Sequence, residues 1–197
     1  MRFKLFGTEI YLSFLFMAVI TLMLAFDKTG LILPTLFAVF LHETGHLFMM
    51  WLRGLSPKRI KLIPASVQIT NAFTKGYSSD IVIALAGPMA NLLFFGVFYY
   101  NHICYGNLGT LYFALLNLVI GGYNLLPIRG LDGGTVLYCI LCRFCEVNKA
   151  ELVLKLVSVF FGVVVIFAAV TLHFRGKLNL SLYIMGIYIL VTSIMKR

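Results

Sequence analysis

Long apolar runs separated by short polar breaks dominate this chain. Residues 2–6 (Arg-Phe-Lys-Leu-Phe) alternate with period two and predict a short strand ending at Gly7. Apolar segments follow over about 10–26, 31–51, 81–100, 110–126, 152–172 and 178–195, and predict six membrane-spanning helices. Asp27-Lys28-Thr29-Gly30 turns the chain between the first two. Between the second and third, residues 59–70 alternate and are rich in β-branched side chains, which predicts one or two strands broken at Pro64. A polar, glycine-rich stretch from Pro127 to Gly134 follows the fourth span, then a short, mostly apolar segment to Cys145. The expected fold class is an all-α polytopic membrane protein with a small β-sheet, built from the N-terminal strand and the loop between spans two and three. No internal repeat or low-complexity tract interrupts it.

Composition agrees. Of 197 residues, 61% are hydrophobic and 12% charged, and the mean hydropathy is +0.97, far outside the range of soluble globular proteins. The length suits a single compact membrane domain over 1–197, and the first apolar segment reads as a retained span rather than a removed signal peptide. The net charge of +9 does not point to nucleic acid, because the cations are scattered between spans instead of gathered on one face. They report topology. With the N-terminus inside, Arg2, Lys4, Arg53, Lys58, Arg59, Lys61, Lys75, Arg129, Arg143, Lys149, Lys155, Lys196 and Arg197 are cytosolic, against Lys28, Arg175 and Lys177 outside. Both termini are then cytosolic. Cys139, Cys142 and Cys145 are spaced by three but lack the fourth ligand of an iron–sulfur run. They are expected as structural thiols on a helix face, with palmitoylation or metal binding as alternatives. His102, Cys104 and His173 fall at or beyond the outer ends of spans and read as interfacial.

The candidate chemistry lies in the second span. His42-Glu43-Thr44-Gly45-His46 is an H-E-x-x-H pentapeptide within an apolar segment. On a helix, His42 and His46 sit about 40° apart and about 6 Å along the axis, so both imidazoles can reach one metal ion. Glu43 points about 100° away from His42 and is free to act as a general base on water. Ionisable groups in a span cost on the order of 2.5–3.5 kcal/mol each on insertion scales, which makes them functional-site candidates by default. The orientation places the pentapeptide in the half of the membrane nearer the cytosol.

A catalytic zinc takes three protein ligands, and the pentapeptide supplies two. Asp132, in Asn124-Leu-Leu-Pro127-Ile-Arg129-Gly-Leu131-Asp132-Gly133-Gly134, is a third candidate just past the fourth span. Residues alone leave it open whether Asp132 is a ligand or the N-cap of the following helix. Gly87-Pro88-Met89-Ala90-Asn91 is a further element. Its glycine and proline suit ordinary helix packing, whereas the amide of Asn91 at membrane depth needs partners.

These three elements, in this order over roughly residues 35–135, resemble the signature of the site-2 intramembrane zinc metalloproteases. The compact six-span branch, which includes the bacterial sporulation-type sigma-factor processing proteases, is the more similar. The resemblance implies Zn2+ as cofactor, His42, His46 and Asp132 as metal ligands, and Glu43 as the catalytic residue. It implies that Asn91 and Asn124 orient substrate backbone or help stabilise the oxyanion, with interhelical hydrogen bonding as the alternative. The implied activity is hydrolysis of a peptide bond in or near a substrate's transmembrane segment. A separate expectation, from the predicted strands themselves, is that those at 2–6 and 59–70 add the unwound peptide as another strand. Partners would be a membrane protein or membrane-associated peptide, the lipid bilayer and a membrane-embedded regulator. The expected location is a bacterial cytoplasmic or internal membrane. The chain departs from the family at Ile128-Arg129-Gly130, which puts a cation three residues from Asp132, where it can meet substrate, lipid phosphate, solvent or Asp132 itself. It also lacks room for a PDZ or nucleotide-sensing domain. An inactive membrane scaffold and a metal transporter are the rival functions; the scaffold has no use for Glu43, and the transporter needs a polar path that the spans do not show.

Overall fold

A computed structural model describes residues 2–5, 8–55, 57–63, 66–71, 76–176 and 179–194. Pro64, Lys75, Lys177 and the last three residues lie outside these, as do the expected end of the first strand at Phe6-Gly7 and the start of the last span at Leu178. The chain divides into two compact units, Met1–Tyr123 and Asn124–Arg197.

The first unit begins with β1 (Arg2–Leu5) and β2 (Thr8–Leu12), then α1 (Phe14–Ala25), α2 (Ile32–Leu52), β3 (Pro57–Ile63), β4 (Ser66–Asn71), α3 (Tyr77–Tyr105) and α4 (Leu108–Asn124). The strands form one sheet in the order β1-β2-β3-β4. β1–β2 and β3–β4 are antiparallel, while β2 and β3 run parallel with Ile10 opposite Ile60. The first apolar segment therefore does not enter a helix at Ile10. Its first residues extend as β2, and α1 has 12 residues. A short apolar run with Ile and Tyr is compatible with either state, and pairing with β3 decides it.

Helix α2 starts under the carboxylate of Asp27, which accepts from Thr29 N, Thr29 Oγ1, Gly30 N and Ile32 N at 2.8–3.0 Å. Ile32 N is one of the amides left unsatisfied at a helix start. The buried residues of α2 are Ala38, His42, His46 and Met50, a stripe repeating every four residues. It packs against α3 through small residues: a β-carbon on Gly45 would come within 2.6 Å of Ala86 O and 2.9 Å of Ala90 Cβ. Close backbone approach of this kind is how helices associate where lipid offers no hydrophobic drive. Gly121 of α4 meets Asn91 Cβ and Pro88 O of α3 in the same way, at 3.0 and 3.2 Å.

The second unit holds α5 (Asp132–Phe144), α6 (Val147–Phe174) and α7 (Leu180–Ile194). Gly162 of α6 receives Leu190 and Ile189 of α7, and Gly186 of α7 receives Ile166 of α6. Among the described residues, α2, α3 and α6 are long and apolar enough to cross a membrane, and α4 and α7 are shorter apolar helices. The chain is an integral membrane protein.

Candidate metal centre

In the first unit, His42 and His46 are 5% and 8% exposed on the α3-facing stripe of α2. Each ring is held from behind. His46 Nδ1 lies 2.8 Å from the carbonyl of Ile83, and His42 Nδ1 lies 2.6 Å from Asn91 Oδ1. The proton positions follow from the partners. A backbone carbonyl only accepts, so His46 donates through Nδ1. The Asn91 amide donates through Nδ2 to Ala38 O (3.1 Å) and Asn117 Oδ1 (2.9 Å), so its oxygen faces His42, which also donates through Nδ1. Both Nε2 atoms then carry lone pairs in the neutral rings. They face each other at 3.1 Å.

Two lone pairs at that distance repel, and a shared cation relieves them. Two nitrogens on a tetrahedral zinc, at the usual bond length of 2.0–2.1 Å, would be about 3.3 Å apart. The space beside them is kept by a glycine. A β-carbon on Gly87 would collide with His46 Nε2 and stand 2.8 Å from His42 Nε2. Pro88, the next residue, provides no N–H for the carbonyl of Ala84, which loosens α3 in the turn beside the Ile83 carbonyl. Glu43 is half-buried on the neighbouring face of α2.

Asn91 is fully buried and gives both amide hydrogens to other helices, so it has none to offer an oxyanion. Interhelical hydrogen bonding, the alternative reading of this residue, is the role its contacts describe. Sequence reasoning missed Asn117, also fully buried. The signal was available: like Asn91, it is an uncharged amide in the middle of an apolar span, and such a group needs partners there.

Asp132 belongs to the second unit. Leu131 occupies the N-cap position of α5 and Asp132 is the first helical residue, so the N-cap reading of Asp132 does not hold. Its Oδ2 atom is shielded from solvent, and the positive end of the helix favours a carboxylate there. The loop before it is set by backbone. β-Carbons on Gly133 and Gly134 would run into the carbonyls of Leu125 and Ile128. Ser158 Oγ of α6 accepts from Arg129 N at 2.8 Å and donates to Leu154 O at 2.7 Å. The Arg129 guanidinium pairs with Glu151 at 2.7 Å, which answers where that cation goes. With side chains 24% and 43% exposed, the pair contributes no more than about 1 kcal/mol. Asn124, also of the second unit, is half-buried at the last position of α4. Cys139 is buried and Cys145 exposed, and neither is in a disulfide.

Comparison with solved structures finds a chain that covers 98% of this one and 93% of its own length, with a TM-score of 0.72 and 23% identity: the site-2 protease from Methanocaldococcus jannaschii. This is the site-2 protease fold. A zinc metalloprotease of the same organism is 31% identical over 156 residues, 72% of this chain. The chain spans 45% of that relative's length. No family model matches.

Proposed function

We propose that this protein is a zinc metalloprotease that hydrolyses a peptide bond in or near the membrane segment of its substrate. The observation that carries the reading is the histidine pair: two tautomer-fixed rings with Nε2 atoms 3.1 Å apart, beside a gap only glycine leaves open. His42, His46 and Asp132 would hold the metal, a donor set of two imidazoles and one carboxylate that can bind zinc. Bound zinc supplies Lewis acidity for water and the scissile carbonyl. Glu43 takes the proton of the attacking water and delivers it to the departing amine. Asn124 is the amide proposed to contact substrate, while Asn91 orients His42. Both units act as one protease domain, six spans cross the membrane, and both termini are cytosolic. A sigma or anti-sigma factor is the substrate class favoured by resemblance to the sporulation-type branch.

The test is zinc content and cleavage in detergent-purified protein. About one zinc per chain is expected in the wild type, retained in Glu43→Gln and lost in Asp132→Ala. Cleavage of a membrane-segment substrate should vanish in both variants. Wild-type protein without zinc, or full retention in Asp132→Ala, would bring the scaffold reading forward.

A further inference from the structure

His46 and His42 reach the same tautomer by different means. His46 is oriented by a main-chain carbonyl, whose role cannot change. His42 is oriented by a side-chain amide, which can turn over. A flipped Asn91 would present its NH2 group to His42 Nδ1, drive the ring proton to Nε2, and replace the inward lone pair with an N–H. Ala38 O opposes the flip with one contact. Asn117 opposes it with the second, because its Oδ1 accepts the other Asn91 hydrogen at 2.9 Å. Asn117 cannot itself turn, since its Nδ2 donates to Phe113 O at 2.9 Å. The sequence of donors and acceptors is thus anchored on carbonyls of α2 and α4, and neither amide is exposed to water. Phe113 is in turn packed by its ring against Phe37 of α2 and Phe98 of α3.

Resting on the zinc reading above, we infer that Asn117 is a positioning residue for the ligand His42. It locks the Asn91 amide so that His42 presents an unprotonated Nε2. A residue that only packed α4 against α3 would show the same burial but would have no influence on a ring proton two side chains away. Outer partners of ligating histidines are worth 10–100-fold in metal affinity, and a residue one step further out belongs at the low end.

The experiment compares the wild type, Asn117→Leu, Asn117→Asp and Ser193→Ala. Leucine keeps the number and branching of side-chain heavy atoms and removes both hydrogen bonds. A buried, neutral aspartic acid can reproduce them. Ser193 is a control, a fully buried hydroxyl bonded to Ile189 O within α7. Zinc is titrated into metal-free protein against a competing chelator, and ring 15N shifts of labelled histidine report the tautomers. Asn117→Leu should bind zinc about 10-fold more weakly, Asn117→Asp should regain most of this, and Ser193→Ala should match the wild type. Metal-free His42 should carry its proton on Nδ1 in the wild type and on a mixture of both nitrogens in Asn117→Leu, with His46 unchanged. Should the leucine variant not fold, Asn117→Ser, whose hydroxyl is too short to reach Asn91, takes its place. Wild-type protein that binds no zinc overturns the zinc reading and this inference together. Equal zinc affinity with an unchanged His42 tautomer in the Asn117 variant overturns the inference alone.

Discussion

His42 and His46 are held in the first unit by groups on neighbouring helices, whereas Asp132 is carried in the second unit by backbone folded tightly around two glycines. Side-chain amides and a carbonyl fix the two imidazoles, and every polar atom in that set is directional. The Leu125–Gly134 stretch uses contact instead: Gly133 and Gly134 lie so close to carbonyls that no side chain fits. The difference follows from the chemistry of the three groups proposed to hold the metal. An imidazole must present one particular nitrogen, so its partner has to specify a proton. A carboxylate offers two equivalent oxygens, and placing its Cα is sufficient.

The largest effect should come from filling the gap at Gly87. Gly87→Ala puts a methyl carbon against both Nε2 atoms, where neither ring can retreat without giving up the Ile83 or Asn91 bond. Zinc should fall below detection and cleavage with it, while the helices still form, since alanine favours helix over glycine by about 1 kcal/mol. Zinc analysis beside circular dichroism reads both. Normal zinc binding would mean that the rings are not pinned as described.

Gly134→Ala should act on the other side of the comparison. The new methyl would meet the Ile128 carbonyl, and a backbone atom yields less readily than the end of a flexible side chain. A loss of about 1–3 kcal/mol is expected from overpacking, seen as a lower thermal midpoint. Zinc should weaken as well if Asp132 is a ligand. An unchanged midpoint would show that close backbone packing is not what sets this loop.

How far these features could be read beforehand depended on the range of the interaction. His42, Glu43 and His46 needed only helix geometry over five residues. The bounds of α2 and α4 fall within two residues of the apolar runs because hydropathy sets them. Helix α3 extends past its apolar run to Tyr77 and Tyr105, where Gly76 and Gly106 at φ 96° and 66° interrupt the backbone. Hydropathy could not show that. Nor could it show what Asn117 does, which depends on a partner 26 residues earlier, or the pairing of Arg129 with Glu151 22 residues later. Asp132 was visible only through the shared motif, because residue type alone allowed a cap equally well.

The smallest expected effect lies at the start of α2 and extends the contrast to helix ends. The N-cap residues Leu31 of α2 and Leu131 of α5 both lack a side-chain cap, but at α2 the carboxylate of Asp27 accepts from Ile32 N instead. The Asp27 carboxyl is held below its ordinary value of 3.8, chiefly by the amide of Ile32, then by the Thr29 hydroxyl. The folded chain therefore binds fewer protons at this group than the unfolded chain does, and stability rises with pH across that range. The contribution is complete above about pH 4 and fades as pH falls through the lower folded-state value. Asp27→Asn keeps an acceptor oxygen without the charge. Its thermal midpoint should lie slightly below the wild type's at neutral pH and converge with it as pH falls below the lowered folded-state value. Measuring the difference between the two chains removes the other carboxylates, which titrate alike in both. A constant difference across the range would mean that the loop's hydrogen bonds, and not the carboxylate charge, hold the beginning of the helix that carries both histidines.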